Sequence, residues 1–143
     1  MAPQPPDRQR TDRSLPDKAP TLEDIERLAT EAFESIPAEL RRHVANIVFR
    51  VEDFPDEQTE RDMELESPFD ILGLYRGVAL PNRSTNQVRR SQDMIFLYRR
   101  PLLDYWCETG EPLIDIVRHV LVHEIGHHFG FSDDDMERLD EGN

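Results

Sequence analysis

The sequence holds a single cysteine, Cys107, so no disulfide can form within the chain, and the staples on which many small secreted domains depend are excluded. Nor does any run approach the roughly 18 consecutive apolar residues that span a bilayer, which excludes a transmembrane helix. Bases are outnumbered, with 17 Lys and Arg against 30 Asp and Glu. The resulting charge of -13 repels phosphate backbones and argues against nucleic acid as the main partner. Between Met1 and Pro20 the only large aliphatic residue after Met1 is Leu15, where a secretory signal needs an apolar stretch of roughly 7–15 residues. A cytoplasmic protein with no membrane partner is expected.

What is present suffices for one domain: 143 residues, 37% of them hydrophobic. Five of the 11 prolines fall in the first 20 residues, predicting a disordered tail over 1–20 and a folded unit over 21–143 without internal repeat. Thr21-Leu22-Glu23-Asp24 has the form of a capping box, and Leu22, Ile25, Leu28, Ala29, Ala32, Phe33 and Ile36 follow at helical spacing. Pro37 predicts a short second helix to about His43, and the alternation of Ile47, Phe49 and Val51 predicts a half-buried strand. Nine acids and one base, Arg61, make 51–70 a solvated loop with a short helix near 57–65. Two strands are expected over 71–76 and 94–98, joined by the polar segment 81–91. The basic strip Arg76, Arg83, Arg89, Arg90, Arg99 and Arg100 is read as pairing with the acidic 51–70 stretch. Pro101 predicts a helix ending at Gly110, with Cys107 as a small core residue.

Chemistry concentrates in 111–135, whose apolar positions Leu113, Ile114, Ile116, Val117, Val120, Leu121, Ile125 and Phe129 predict a mostly buried helix of about five turns. Within it stands His123-Glu124-Ile125-Gly126-His127. Residues four apart share a helical face about 6 Å apart, so the two imidazoles can converge on one metal ion. Glu124 is rotated from His123 by about 100°, which suits a base beside the metal better than a ligand. Gly130 can turn the chain back, and Asp133 can then bring a carboxylate under the ion; Asp134, Asp135 and Glu137 are alternative third ligands. By composition His-Glu-x-x-His arises by chance in about 2% of such chains, and adding Gly at 130 and an acid or His at 133 lowers this to on the order of 0.02%. His119 and His128 are read as a packing or ligand-supporting residue and a surface or core-edge residue, respectively.

The run His123 to Asp135, preceded by Leu74-Tyr75-Arg76-Gly77 and Ile95 to Pro101, resembles the minimal zincin-like metallopeptidases, short bacterial proteins with a His-Glu-x-x-His-x-x-Gly-x-x-Asp motif. The resemblance covers most of 21–140. It implies an α+β fold with a small mixed sheet over the active-site helix, and one zinc ion per chain held by His123, His127 and Asp133. In metzincins the third ligand is usually His and a methionine turn lies well downstream; here Asp stands at 133 and only ten residues follow it. A shallow, open groove is therefore expected.

The function expected is hydrolysis of peptide bonds in a peptide or protein substrate, through a zinc-activated water with Glu124 as general base. Tyr98, Tyr105 and Arg100 are candidates by type for stabilising the oxyanion. The alternative is a catalytically weak or inactive zincin-like module that binds metal or peptide.

Overall fold

A computed structural model describes residues 18–44, 46–79 and 91–140. Thr21 starts α1 (Leu22–Ser35) as the sequence predicts: its hydroxyl accepts from the Asp24 N–H at 3.1 Å, while Asp24 Oδ2 accepts from the Thr21 N–H at 2.8 Å. This reciprocal pair satisfies donors that a helix start otherwise leaves without partners. Pro37 leads into α2 (Ala38–Arg41), which tightens into a 3-10 turn over Arg42–Val44. There follow β1 (Val48–Glu52) and the short α3 (Glu57–Asp62), capped by Asp56 accepting from the Thr59 N–H at 2.7 Å. A 3-10 turn (Pro68–Asp70) precedes β2 (Gly73–Ala79). β3 (Ser91–Tyr98) runs straight into α4 (Arg99–Thr109), and α5 (Leu113–His128) and α6 (Asp133–Asp140) complete the described chain.

The strands form one mixed sheet in the order β1-β3-β2. β3 is central, parallel to β1 with Val48 beside Met94 and Glu52 beside Tyr98, and antiparallel to β2 with Gly73 beside Leu97 and Ala79 beside Ser91. A parallel pair needs a crossover, which the chain from Asp53 onward provides. The architecture is α+β, as expected.

α1 and α5 pack on each other, α1 against β1 and α5 against β2. Between them lies one core: Ile25, Ala29 and Ala32 from α1, Val117, Leu121 and Ile125 from α5, Ile95 and Leu97 from β3, and Met136 from α6, all fully buried. Each large aliphatic side chain buried this way contributes roughly 1.5–3 kcal/mol. The most apolar helix of the chain is thus held on two sides, by α1 and by the sheet, while its histidine-bearing strip stays open.

Several boundaries differ from the expectation. α4 begins two residues before Pro101, which sits within the first turn, where a missing N–H costs no hydrogen bond. α5 runs from Leu113 to His128, close to the five turns expected, and the chain turns back at Gly130 (φ +78°), as the sequence predicts. Cys107 is exposed, contrary to its reading as a core residue, because burial along α4 fades from Pro101 and Leu102 toward the C-terminal end. The expected pairing of basic and acidic stretches is seen at Arg99, 3.1 Å from Asp53 Oδ1, whereas Arg100 lies over the Phe54 ring, 5.5 Å from its centroid. Arg99 also donates to the Pro20 carbonyl at 2.6 Å. The tail over 1–17 and the connection over 81–90 lie outside the described residues. No described helix is long and apolar enough to cross a membrane.

Candidate metal centre

α5 buries Val117, Val120, Leu121, Val122 and Ile125 and thereby turns the strip four residues apart, His119, His123 and His127, away from the core. The His123 and His127 ring centroids stand 6.1 Å apart, and those of His119 and His123 4.2 Å. A zinc ion bonded to two imidazole nitrogens lies about 3.2 Å from each ring centre, so around a tetrahedral ion the two ring centres stand about 5.2 Å apart. The 123/127 pair is about 1 Å wider than that, so its donor types suit zinc but the rings must close on an ion, and the ligand atoms of His123, His127 and Asp133 do not all lie within 4.8 Å of one another. Burial, followed by the neighbouring His119 charge, lowers the His123 pKa, which favours the neutral imidazole that a metal requires; the Asp140 carboxylate, and less so that of Asp133, works the other way on it.

Glu124 is half-buried and turned toward the sheet. Its Oε1 accepts a hydrogen bond from the Tyr75 N–H at 3.1 Å, on β2. Burial raises its pKa, offset in part by that bond and by His127. Two glycines allow the arrangement. A Cβ at Gly73 would stand 2.6 Å from Val120 Cγ1 and 2.9 Å from the Phe96 carbonyl oxygen, so only glycine lets β2 lie close enough to α5 for Tyr75 to reach Glu124. A Cβ at Gly126 would stand 2.6 Å from Met136 Cγ and nearer still to its Sδ, so glycine inside the motif lets α6 fold back against α5.

The turn between these helices is a Schellman motif: Phe131 N–H bonds the Gly126 carbonyl at 2.8 Å and Gly130 N–H the His127 carbonyl at 3.2 Å, with Gly130 left-handed. Ser132 then caps α6, its hydroxyl accepting from the Asp135 N–H at 3.1 Å. Asp133 is the first residue of α6 and exposed. Of the alternative ligands, Asp135 is engaged by Ser132 and by Arg138 at 3.4 Å, which hold its pKa down, while Asp134 and Glu137 are exposed.

The sequence profile of the zincin-like metallopeptidases matches residues 44–143. The chain belongs to that family. The match takes in the sheet, α3 to α6 and the whole His123-to-Asp133 motif, most of the 21–140 span expected, but not α1 or α2. No curated protein matches the chain. The zincin fold explains the layout: a helix with paired histidines beneath the edge strand of a small mixed sheet, followed by a tight turn. Of the candidate oxyanion donors, Tyr98 is fully buried and its hydroxyl pKa is pushed up to about 12 by that burial, which leaves it no access to a substrate. Tyr105 is exposed, and Arg100 is exposed over Phe54.

Sequence reasoning missed three residues that make contacts beside the histidine strip and Glu124. Asp140 Oδ2 lies 2.5 Å from His119 Nδ1, so that His119, expected to pack or to support a ligand, is exposed and paired at the end of α6. Tyr75 supplies both the N–H held by Glu124 and a ring stacked on His128 at 3.9 Å. Its hydroxyl is buried with no hydrogen-bond partner among the described residues, and burial beside Asp93 raises its pKa. Arg118 Nη2 bonds the Leu139 carbonyl at 3.2 Å and Nη1 that of Asp140, clamping α6 onto α5. Each contact joins residues at least 21 positions apart, and no local spacing announces it.

Proposed function

We propose that this protein is a zinc-dependent metallopeptidase that hydrolyses peptide bonds in a peptide or protein substrate, with zinc held by His123, His127 and Asp133. Zinc bound there would lower the pKa of a water molecule to near neutrality and polarise the scissile carbonyl. The observation that carries the reading is the placement of Glu124. It is next in sequence to one proposed ligand and three residues before the other, half-buried, and raised in pKa by burial, which brings a carboxylate toward the range suited to taking and returning a proton near neutral pH. In the resting protein the Tyr75 N–H holds this carboxylate beside the border of β2. β2 has β3 on one side only among the described residues, so an extended peptide can add along its free side, close to Glu124. A reducing compartment, the cytoplasm, suits the free exposed thiol of Cys107.

The deciding experiment compares wild type with Glu124→Gln for bound zinc and for cleavage of a peptide library. Retention of zinc with a loss of hydrolysis of about 10²–10⁴-fold is the expected result. Equal cleavage by the two proteins refutes the assignment of Glu124. Zinc-loaded wild type that binds peptides and cleaves none supports the second reading, a binding module, which the engagement of Glu124 by Tyr75 also favours.

A further inference from the structure

The histidine strip contains two overlapping pairs at the same spacing, 119/123 and 123/127, and the motif uses only the second. The first has a carboxylate already in place. His119, His123 and Asp140 each offer one ligand atom, and these atoms lie within 4.8 Å of one another, the one such trio among the described residues. His119 and His123 have their ring centres 4.2 Å apart, closer than the 123/127 pair, and His119 Nδ1 is 2.5 Å from Asp140 Oδ2. Two of the trio, His119 and Asp140, line a cavity of about 390 Å³ together with Glu111, Asp115, Tyr105 and Arg118. Three carboxylates against one guanidinium make its mouth attractive to cations. Arg118, 3.8 Å from Asp140 Oδ1, opposes a cation there, but its hydrogen bonds to the carbonyls of Leu139 and Asp140 tie it to the end of α6 and fix Asp140 opposite the imidazoles.

We propose that His119, His123 and Asp140 form a second station for a zinc-class divalent cation, sharing His123 with the 123/127 pair, so that one ion occupies one position or the other. Two imidazoles and a carboxylate are a borderline-soft donor set suited to zinc or cobalt and poorly suited to calcium or magnesium. Reaching the separations of about 3.5 Å found around a tetrahedral ion means opening the 2.5 Å contact between His119 and Asp140 by about 1 Å and closing the wider gaps, and His119, more than half exposed, has room to move. The station lies about 6 Å nearer the start of α5, one helical turn from His127. An ion resting there takes His123 away from His127, so the station stores the metal in a silent position. The inference uses only His123 from the proposed catalytic set and does not depend on turnover.

The test is zinc binding by the full, untagged chain, measured by equilibrium dialysis with elemental analysis. His127→Ala removes only the 123/127 pair and is expected to retain about one zinc per chain, whereas adding Asp140→Asn or His119→Ala is expected to weaken that binding by about ten-fold or more. His123→Ala removes both stations and should bind none. Folding of each variant is followed by its thermal midpoint, and the near-isosteric Asp140→Asn guards against a loss caused by unfolding. The station is refuted if folded His127→Ala binds no zinc, or if Asp140→Asn and His119→Ala leave its affinity within about two-fold. Failure of the peptidase reading appears separately, as zinc-loaded wild type without hydrolysis.

Discussion

Gly126 lies inside the His-Glu-x-x-His motif, where an added Cβ would meet Met136 of α6, and Gly126→Ala tests whether its role is to admit α6. Two terms oppose each other. Alanine in a helix interior is favoured over glycine by about 1 kcal/mol, while forcing a methyl into a filled core costs about 1–3 kcal/mol. The new Cβ would stand 2.6 Å from Cγ of Met136, which is fully buried and has little room to retreat. A net loss of about 1–2 kcal/mol is expected, or a fall in thermal midpoint of roughly 4–8 °C for a domain this size. Met136→Ala alone should cost about 2–5 kcal/mol, since it opens a cavity where α6 meets the core. In the double variant the new methyl meets space instead of sulfur, the helical gain remains, and the pair should be more stable than the sum of the single losses by about 2 kcal/mol. The assay is reversible chemical denaturation of the metal-free protein, all four forms compared. Additivity within about 0.5 kcal/mol would show that Gly126 does not mediate the approach of α6 to α5.

Glu124→Gln should raise the stability of the metal-free protein at neutral pH. Burial places the folded pKa above the ordinary 4.5, so the wild type loses stability as pH rises from the unfolded value through the folded one. The variant's advantage in thermal midpoint should therefore be smallest near pH 4 and grow toward pH 7; an advantage that does not grow counts against a buried charge. Gly130→Ala should cost about 1 kcal/mol from its positive φ alone, and Gly130→Asn less, because nothing stands within 4 Å of a Cβ there; denaturation midpoints in the order Gly, Asn, Ala would bear this out. Arg118→Met should free the end of α6 at a cost of about 1–3 kcal/mol, with faster amide exchange over Met136 to Asp140 as the specific sign, and unchanged exchange there would remove the clamp from the account.

What the sequence made legible was local. The Thr21 capping box, the glycine ending α4, the paired histidines one turn apart and the turn at Gly130 each depend on residues within five positions of one another, where helical geometry alone fixes the contact. The contacts that complete the site reach further: Tyr75 to Glu124 spans 49 positions and His119 to Asp140 spans 21. Their formation depends on how β2 crosses α5 and how α6 folds back, which Gly73 and Gly126 control through the absence of a side chain. A missing Cβ leaves no periodic pattern to read. Cys107 was misread for a related reason, since helical spacing places it near the apolar positions of α4 but carries no information on where the neighbouring layer stops.

The hold of Glu124 on Tyr75 has a bearing on solubility. An open strand border presents backbone donors that any extended segment can adopt, including the same strand of another molecule. On β2 one of these donors is taken by a carboxylate anchored on a helix, which meets a neighbouring chain with an acid in place of a free amide. A segment that docks along this border must first displace that carboxylate from the strand. Admission of a guest and release of the Glu124 carboxylate are then one event, and the same carboxylate stands in the way of a second copy of the strand.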